Sequence, residues 1–535
     1  MVALSAPVFP MHSWQAVKPS RWPVAKALMI QGTGSGAGKS VIVAALCRIF
    51  RDQGLSVAPF KAQNMALNSF ITAEGGEIGR AQALQAQAAR IEPTVHMNPV
   101  LLKASGQMCS QVIIQGVARA TMQAREYYGY KKEAWKAVKS SYRRLSDTHD
   151  LIILEGAGSP AEINLVENDI VNMAAARHAK APVVLVGDID RGGVFASLYG
   201  TVKLTGRDAK RIKAFIINKF RGDVDILRPG LKMIQDKTGR PVIGVLPYVT
   251  DMNLPEEDGL ALTHKHAAKG AGDIRVVVVR LPFISNFTDF DPLSQEPDVE
   301  LVYSFNPVDV ENAHIVIVPG TKNTVQDLLY MRRTGLEQSI KRAYSKGIQI
   351  IGVCGGYQML GTKISDLLGV ESGHKEIAGM GLLNIETSFA ALKTTCQVRG
   401  SLIKESWRIG AYGTYFTESE LLLQAEQTLT GYEIHMGSST GDINLFLLQR
   451  LARGACATVL DGSRNGNCWG TYIHGLFDND AFRRGVLNHA RRQYNLPALE
   501  SQVNYALIHD QAIDNLTRML RENVDMNFLL RMAGL

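Results

Sequence analysis

The hydrophobic pattern along this chain is one of short apolar runs separated by stretches of helical period. In the first half such runs predict strands at Leu28–Gln31, Val57–Lys61, Leu151–Glu155, Val183–Asp188, Ala214–Asn218 and Val242–Pro247. Between the first two, apolar residues recur at helical spacing over Val41–Gln53, and Gly54 supplies a stop. Alternation of this kind predicts a parallel sheet with helices on both faces, with ligands collecting at the carboxyl ends of the strands. The pattern breaks at Pro255–Gly259 and at the basic, Gly/Ala-rich stretch His264–Gly272, then resumes with Val276–Val279, Ile315–Val318 and Ile348–Val353. The reading is α/β throughout: an extension over 1–25, a first domain over 26–250, a linker over 251–272, a second domain over 273–482 and an amphipathic helical tail over 483–535. The extension holds four prolines and no acidic residue; it predicts disorder, not a secretory leader.

Composition narrows the class. Of 535 residues 46% are hydrophobic and 20% charged, enough for several packed domains. No apolar run approaches membrane-spanning length, so no membrane partner is expected. The six cysteines lack paired metal-type spacing, which points to a reducing, cytoplasmic compartment. The formal charge of +8 calls for an anionic partner, but the basic residues are dispersed without interleaved aromatics, so no nucleic acid is expected; a nucleotide and an acidic small substrate satisfy the charge equally well.

The candidate chemistry of the first domain sits at strand ends. Gly32–Ser40 (GTGSGAGKS) joins the first strand to its helix. The backbone N–H groups of such a loop, Gly36 and Gly38 among them, can point at phosphate oxygens; Lys39 would reach the terminal phosphates and Ser40 a magnesium ion. Glu155 ends four apolar residues and precedes Gly156-Ala157-Gly158, the presentation of a magnesium-binding acid; Glu77 is a second candidate ligand. Lys61, Gln63, Asn64 and Asn68 leave the second strand as an amide-rich group suited to substrate binding, with Asn64 and Asn68 on one face if that piece is helical. Asp188, Asp190 and Arg191 could position a second metal or a phosphate, or pair with one another, and Asn218 could read an adenine edge. In the second domain Cys354 lies between small residues at a strand-to-helix turn, the geometry of a nucleophile elbow. The Gly355 N–H and the Gly320 turn are candidate oxyanion donors, and His474, ending a distant apolar run, is the candidate base.

These motifs carry a resemblance. Gly352–Gln358 (GVCGGYQ) resembles the nucleophile motif of class I-like glutamine amidotransferases, and the phosphate loop is similar in spacing to that of dethiobiotin synthetase-like ATPases. Together and in this order, with FKAQNMALNS, LEGAGSPAEINL, GDIDRGG, PGTKNT, GYEIHMG and YIHG, they resemble the cobyric acid synthase family of cobalamin biosynthesis over roughly Lys26 to Asp480. The resemblance implies two α/β domains, a P-loop parallel-sheet domain followed by a class I-like glutamine amidotransferase domain. It implies that glutamine is hydrolysed at Cys354 and that ammonia passes to the first domain. There, with ATP and Mg2+, carboxylates of a corrinoid substrate are activated and amidated; the family's substrate is adenosylcobyrinic acid a,c-diamide, amidated at four peripheral carboxylates, b, d, e and g. One departure stands out: class I enzymes carry a glutamate two residues after the histidine, where this chain has Leu476, and Glu433 is a possible substitute orienter. The a,c-diamide synthases, with the same chemistry on other carboxylates, and partitioning-type switch ATPases remain alternatives; the latter carry an additional early loop lysine that this chain lacks.

Overall fold

The computed structural model describes residues 24–106, 109–250, 252–255, 272–408, 415–452, 455–500 and 503–535. The expected extension (1–25) and linker (251–272) lie mostly outside them.

The first domain is built on a six-stranded, wholly parallel sheet ordered Val242–Pro247, Ile212–Phe220, Val183–Asp188, Lys26–Gly32, Leu151–Glu155, Val57–Phe60. Its central strands are buried on both faces, which is why they read as unbroken apolar runs. Pro59 falls in the terminal strand of the sheet, where a missing N–H costs one ladder bond at most. The chain leaves the Lys26–Gly32 strand toward the Val57–Phe60 edge and later crosses over it, from Leu151–Glu155 to Val183–Asp188, so the crevice at its carboxyl end, where the phosphate loop sits, is the expected ligand position.

Beside this sheet the chain makes structure that the periodicity does not announce. Gln63–Met65 pairs with Val100–Gly106, which continues into Cys109–Ile114 and Val117–Gln123. Ser69–Ile71 and Glu77–Gly79 form a separate two-stranded hairpin. Asn64 and Asn68 are therefore not on one helical face: the first lies in a strand and the second just before another.

The second domain has its own six-stranded sheet, ordered Val299–Ser304, Ile274–Val279, Ile315–Val318, Gln349–Val353, Cys468–Thr471, Ser463–Asn465, parallel except for the last pair. A second, largely antiparallel sheet leans on it, led by the long strands Ile385–Leu402 and Leu429–Gly441. Helix Asp480–Gln493 spans the expected start of the tail at 483 and buries Phe482, Val486 and Leu487 in this domain's core.

The remainder of the tail turns back. Helix Tyr505–Asn523 packs on the phosphate-loop helix Lys39–Asp52, placing Ile513, Leu516 and Leu520 in the first domain's core with Ile42, Leu46 and Ile49. Arg48, almost wholly buried, donates to Asp510 at 2.6 Å and also pairs with Asp514. Asp525 N donates to Ile243 O at 2.8 Å, and helix Met526–Ala533 adds Leu529 to the same core.

Between the domains the hairpin Ser69–Gly79 acts as a wedge. Asn68 Oδ1 accepts from Phe287 N (3.1 Å), Ser69 N donates to Asn286 Oδ1 (2.9 Å) and Lys393 Nζ pairs with Glu77 (2.6 Å). Ile71 packs with Tyr432 and Ile434 of the second domain, and Arg80 faces Asp478 at 4.0 Å.

Candidate active sites

The phosphate loop opens onto a cavity of about 1300 Å³. Gly36 and Gly38 hold positive φ (71° and 94°), and a Cβ on Gly38 would fall 2.1 Å from the Asn218 amide. Asn218 donates to Ala37 O at 2.9 Å, so its amide braces the loop from the strand Ile212–Phe220, two places away in the sheet, as well as lining the cavity. Lys39 Nζ bridges Gly34 O (2.8 Å) and Gly158 O (3.2 Å), tying the loop to the Glu155–Gly158 turn.

Ser40 and Glu155 meet as expected: Ser40 Oγ donates to Glu155 Oε1 at 2.8 Å. Lys61 Nζ reaches the same oxygen at 2.9 Å, while Gln85 and Gln82 donate to Oε2 at 2.6 and 3.3 Å. Gln85 escaped the sequence reading; its signal is the i, i+3 spacing from Gln82, which puts both amides on one face of the buried helix Arg80–Ala88. Lys61, Gln63 and Asn64 line the cavity, Gln63 accepting from Tyr127 OH (2.7 Å) and Asn64 donating to Gln82 (3.0 Å).

Two expected residues lie elsewhere. Asn68 is fully buried in the interdomain contact with Phe287, away from the cavity, because the chain turns into the hairpin just after it. Glu77 does not join Ser40 and Glu155 as a metal ligand: it sits across that hairpin with its two oxygens taken by Lys103 (3.0 Å) and Lys393 (2.6 Å). Burial alone would raise its carboxyl pKa, but those two ammonium groups outweigh it and hold the group far below the usual range. Of the mutual pairing left open from sequence only Asp188–Arg191 forms, at 3.7 Å; Asp188 also pairs with Lys219 (2.8 Å), and Asp190 pairs with Arg221 (3.1 Å). Among the described residues no cluster of three or more His, Cys, Asp or Glu is placed to hold a metal.

The second centre is at Cys354, which ends the strand Gln349–Val353 and begins the helix Gly355–Leu360 with φ 52° and ψ −109°, a strained backbone typical of a nucleophile turn. The flanking glycines are sterically required: a Cβ on Gly356 would lie 1.8 Å from Val318 O, and one on Gly352 2.5 Å from Leu360. Gly320 is pressed against the same group, its would-be Cβ 3.1 Å from His474 Cε1 and 3.7 Å from Cys354 Cβ. His474 is held by backbone pairing with Tyr432 in both directions and by Nδ1–H donation to Asp289 Oδ2 at 2.6 Å; Gly475 N donates to the other Asp289 oxygen at 3.2 Å. His474 is wholly buried, which would lower its pKa, but the charges of Asp289 and Cys354 prevail and lift it to about 10. A thiol, an imidazole and an orienting carboxylate in this order can perform nucleophilic attack on an amide.

Asp289 is the member that sequence reasoning missed. Its segment, Asn286–Pro292, is a short turn far from both motifs, and its only signal is two acids set among aromatics. Glu433 is not the orienter: it bonds His435 (3.3 Å) and Arg450 (2.5 Å), which overcome burial and hold it at about 2. Leu476, where class I enzymes carry the acid, is buried in the core.

A phosphate-loop domain fused to a Cys–His–Asp domain defines a glutamine-hydrolysing ligase with two centres. Residues 28–262 match the CobQ/CobB/MinD/ParA nucleotide binding domain, and residues 275–482 match the CobB/CobQ-like glutamine amidotransferase domain. Curated relatives match nearly end to end. The cobyric acid synthase of Thermodesulfovibrio yellowstonii is 47% identical over 96% of this chain and 100% of its own length; those of Desulfitobacterium hafniense and Syntrophobacter fumaroxidans are each 46% identical over 96% of this chain, covering 98% and 99% of their own. The chain belongs to the cobyric acid synthase family.

Proposed function

We propose that this enzyme amidates the b, d, e and g carboxylates of adenosylcobyrinic acid a,c-diamide, using ATP, Mg2+ and glutamine, to give adenosylcobyric acid. The observation that carries this reading is the pairing, in one chain, of the Cys354–His474–Asp289 centre with a cavity of about 1300 Å³ at the phosphate loop. The cavity's size and its rim of exposed apolar side chains, Met65, Leu165, Val166, Leu204 and Met252, suit a macrocycle far larger than an amino acid. The six unpaired cysteines support a reducing, cytoplasmic setting, and among the described residues no helix is long and apolar enough to cross a membrane.

In this reading Cys354 Sγ attacks the side-chain amide of glutamine. His474 takes the thiol proton and passes it to the departing ammonia, Asp289 keeps the imidazole in the required tautomer, and the Gly355 and Gly320 backbones face the oxyanion. At the phosphate loop Lys39 and the Gly36 and Gly38 backbone hold the ATP phosphates, and a substrate carboxylate attacks the terminal one; ammonia then displaces phosphate from the acyl phosphate. Ser40 Oγ and Glu155 Oε1 fit magnesium: adjacent ligands of an octahedral ion sit about 3.0 Å apart, against the 2.8 Å between them. When bound, magnesium supplies charge neutralisation on the phosphates. Lys61, Gln63 and Asn64 line the same cavity and in this reading hold the carboxylate or the amide it becomes.

The test is product analysis by chromatography and mass spectrometry during turnover with adenosylcobyrinic acid a,c-diamide, ATP, Mg2+ and glutamine. Successive amides, one ATP and one glutamine consumed for each, are expected. Consumption of both without a gain of amide overturns the substrate assignment.

A further inference from the structure

The recess that holds the candidate nucleophile takes one wall from the other domain. Lys103, Lys322, Lys393 and Glu371 line it together with Cys354 and His474. Lys103 stands on the first domain's strand Val100–Gly106, Lys322 follows the Gly320 turn, and Lys393 lies in the second domain's strand Ile385–Leu402. Any ligand that reaches Cys354 Sγ through this recess therefore meets ammonium groups from both domains.

The cluster is built, not incidental. Glu77 fixes Lys103 and Lys393 from behind, at 3.0 and 2.6 Å, without itself lining the recess, and Ser69 Oγ accepts from Lys103 at 3.0 Å. Glu371 accepts from Thr324 N at 2.8 Å. Lys322 is different: among the described residues its ammonium makes no hydrogen bond or close ion pair, and burial with the neighbouring Lys393 and Lys103 charges brings its pKa down to about 8 against the opposing pull of Glu371. Three ammonium groups face two carboxylates, an excess of one positive charge in a water-poor recess. A buried ammonium that faces two others and is hydrogen-bonded by no carboxylate is costly, and a ligand anion would relieve that cost.

We propose that Lys322, backed by Lys103 and Lys393, seats the α-carboxylate of the glutamine whose side-chain amide lies at Cys354, with Glu371 facing its α-ammonium. The proposal rests on the reading of Cys354 as the glutamine-attacking nucleophile. Lys103 then makes glutamine recognition conditional on the docking of the first domain, since that wall of the recess leaves with it.

The test compares hydrolysis of glutamine with that of 4-aminobutanamide, which presents the same amide and ammonium but no carboxylate, by the full-length enzyme. The wild type should prefer glutamine. Lys322→Met should reduce that preference about ten- to a hundredfold through KM for glutamine, and Lys103→Met several-fold, while kcat/KM for 4-aminobutanamide does not fall. Alkylation of Cys354 by iodoacetamide at the wild-type rate would show the variant pocket to be assembled. Glutamine methyl ester, tested on the wild type, masks the same carboxylate and should share the deficit of 4-aminobutanamide. An unchanged preference in an assembled Lys322→Met pocket, equal losses on both amides, or parity of the ester with glutamine would each overturn the proposal. Glutamine hydrolysis persisting in Cys354→Ala would overturn instead the nucleophile assignment beneath it.

Discussion

Asp289 Oδ2 accepts a hydrogen bond from His474 Nδ1 at 2.6 Å, across 185 residues of sequence. Asp289→Asn preserves the shape but offers an amide in place of the carboxylate. Glutamine hydrolysis should fall by about a thousandfold, with ammonium-supported amidation retained. A loss of less than tenfold would show that His474 is oriented by something else.

The same pair predicts a pH dependence. The folded His474 pKa is raised from 6.5 to about 10, so the folded protein holds a proton that the unfolded chain releases between those values. The stabilisation is fully present below about 6.5 and is lost as pH rises toward about 10. Denaturant titrations across that window should show the decline in the wild type and a flatter curve for Asp289→Asn.

Cys354 and Lys39 belong to different domains and should fail differently. Cys354→Ala should abolish glutamine-supported amidation and leave amidation from ammonium salts. Lys39→Ala should abolish amidation from either nitrogen source, since both need the activated carboxylate. Measuring both variants with both nitrogen sources separates the two centres; normal ammonium-supported turnover in Lys39→Ala would remove the phosphate loop from the reaction.

Glu155→Gln keeps the side chain's shape and removes the charge beside Ser40 and Lys61. Turnover should drop sharply, by about a hundredfold or more, and the magnesium concentration for half-maximal rate should rise. An unchanged magnesium titration would make Glu155 a structural partner of Lys61.

Leu520 lies fully buried where the returning tail meets the phosphate-loop helix. Leu520→Ala should cost about 2–5 kcal/mol, read as a lower unfolding midpoint of the nucleotide-binding domain. A midpoint unmoved by the substitution would mean that the tail contributes nothing to that domain's core.

What could be read from sequence was what local backbone chemistry dictates. The Gly36–Ser40 turn and the Cys354 elbow are legible because their glycines are required within a few residues of the functional group. The parallel strands are legible because burial on both faces leaves unbroken apolar runs. Asp289 was hidden because its role depends on a contact made by folding, and two acids set among aromatics are a weak local mark. Glu77 and Asn68 misled for the complementary reason: close in sequence to the substrate-facing group, they are carried by the Ser69–Gly79 hairpin to the other domain. The long antiparallel strands Ile385–Leu402 and Leu429–Gly441 escaped because mixed burial along them blurs the alternation that would mark a strand.

The helices beyond residue 503 complete the core around Lys39–Asp52. During synthesis, then, the nucleotide-binding half cannot reach its finished form when its own stretch leaves the ribosome; it must wait for residues 503–535 to emerge, after the amidotransferase half has been made. A gene fragment cut at the linker would encode an unfinished protein with the apolar side of its phosphate-loop helix bare, whereas supplying 503–535 as a separate peptide should restore it. The two halves are modular in chemistry, but the polypeptide stitches them into one folding unit.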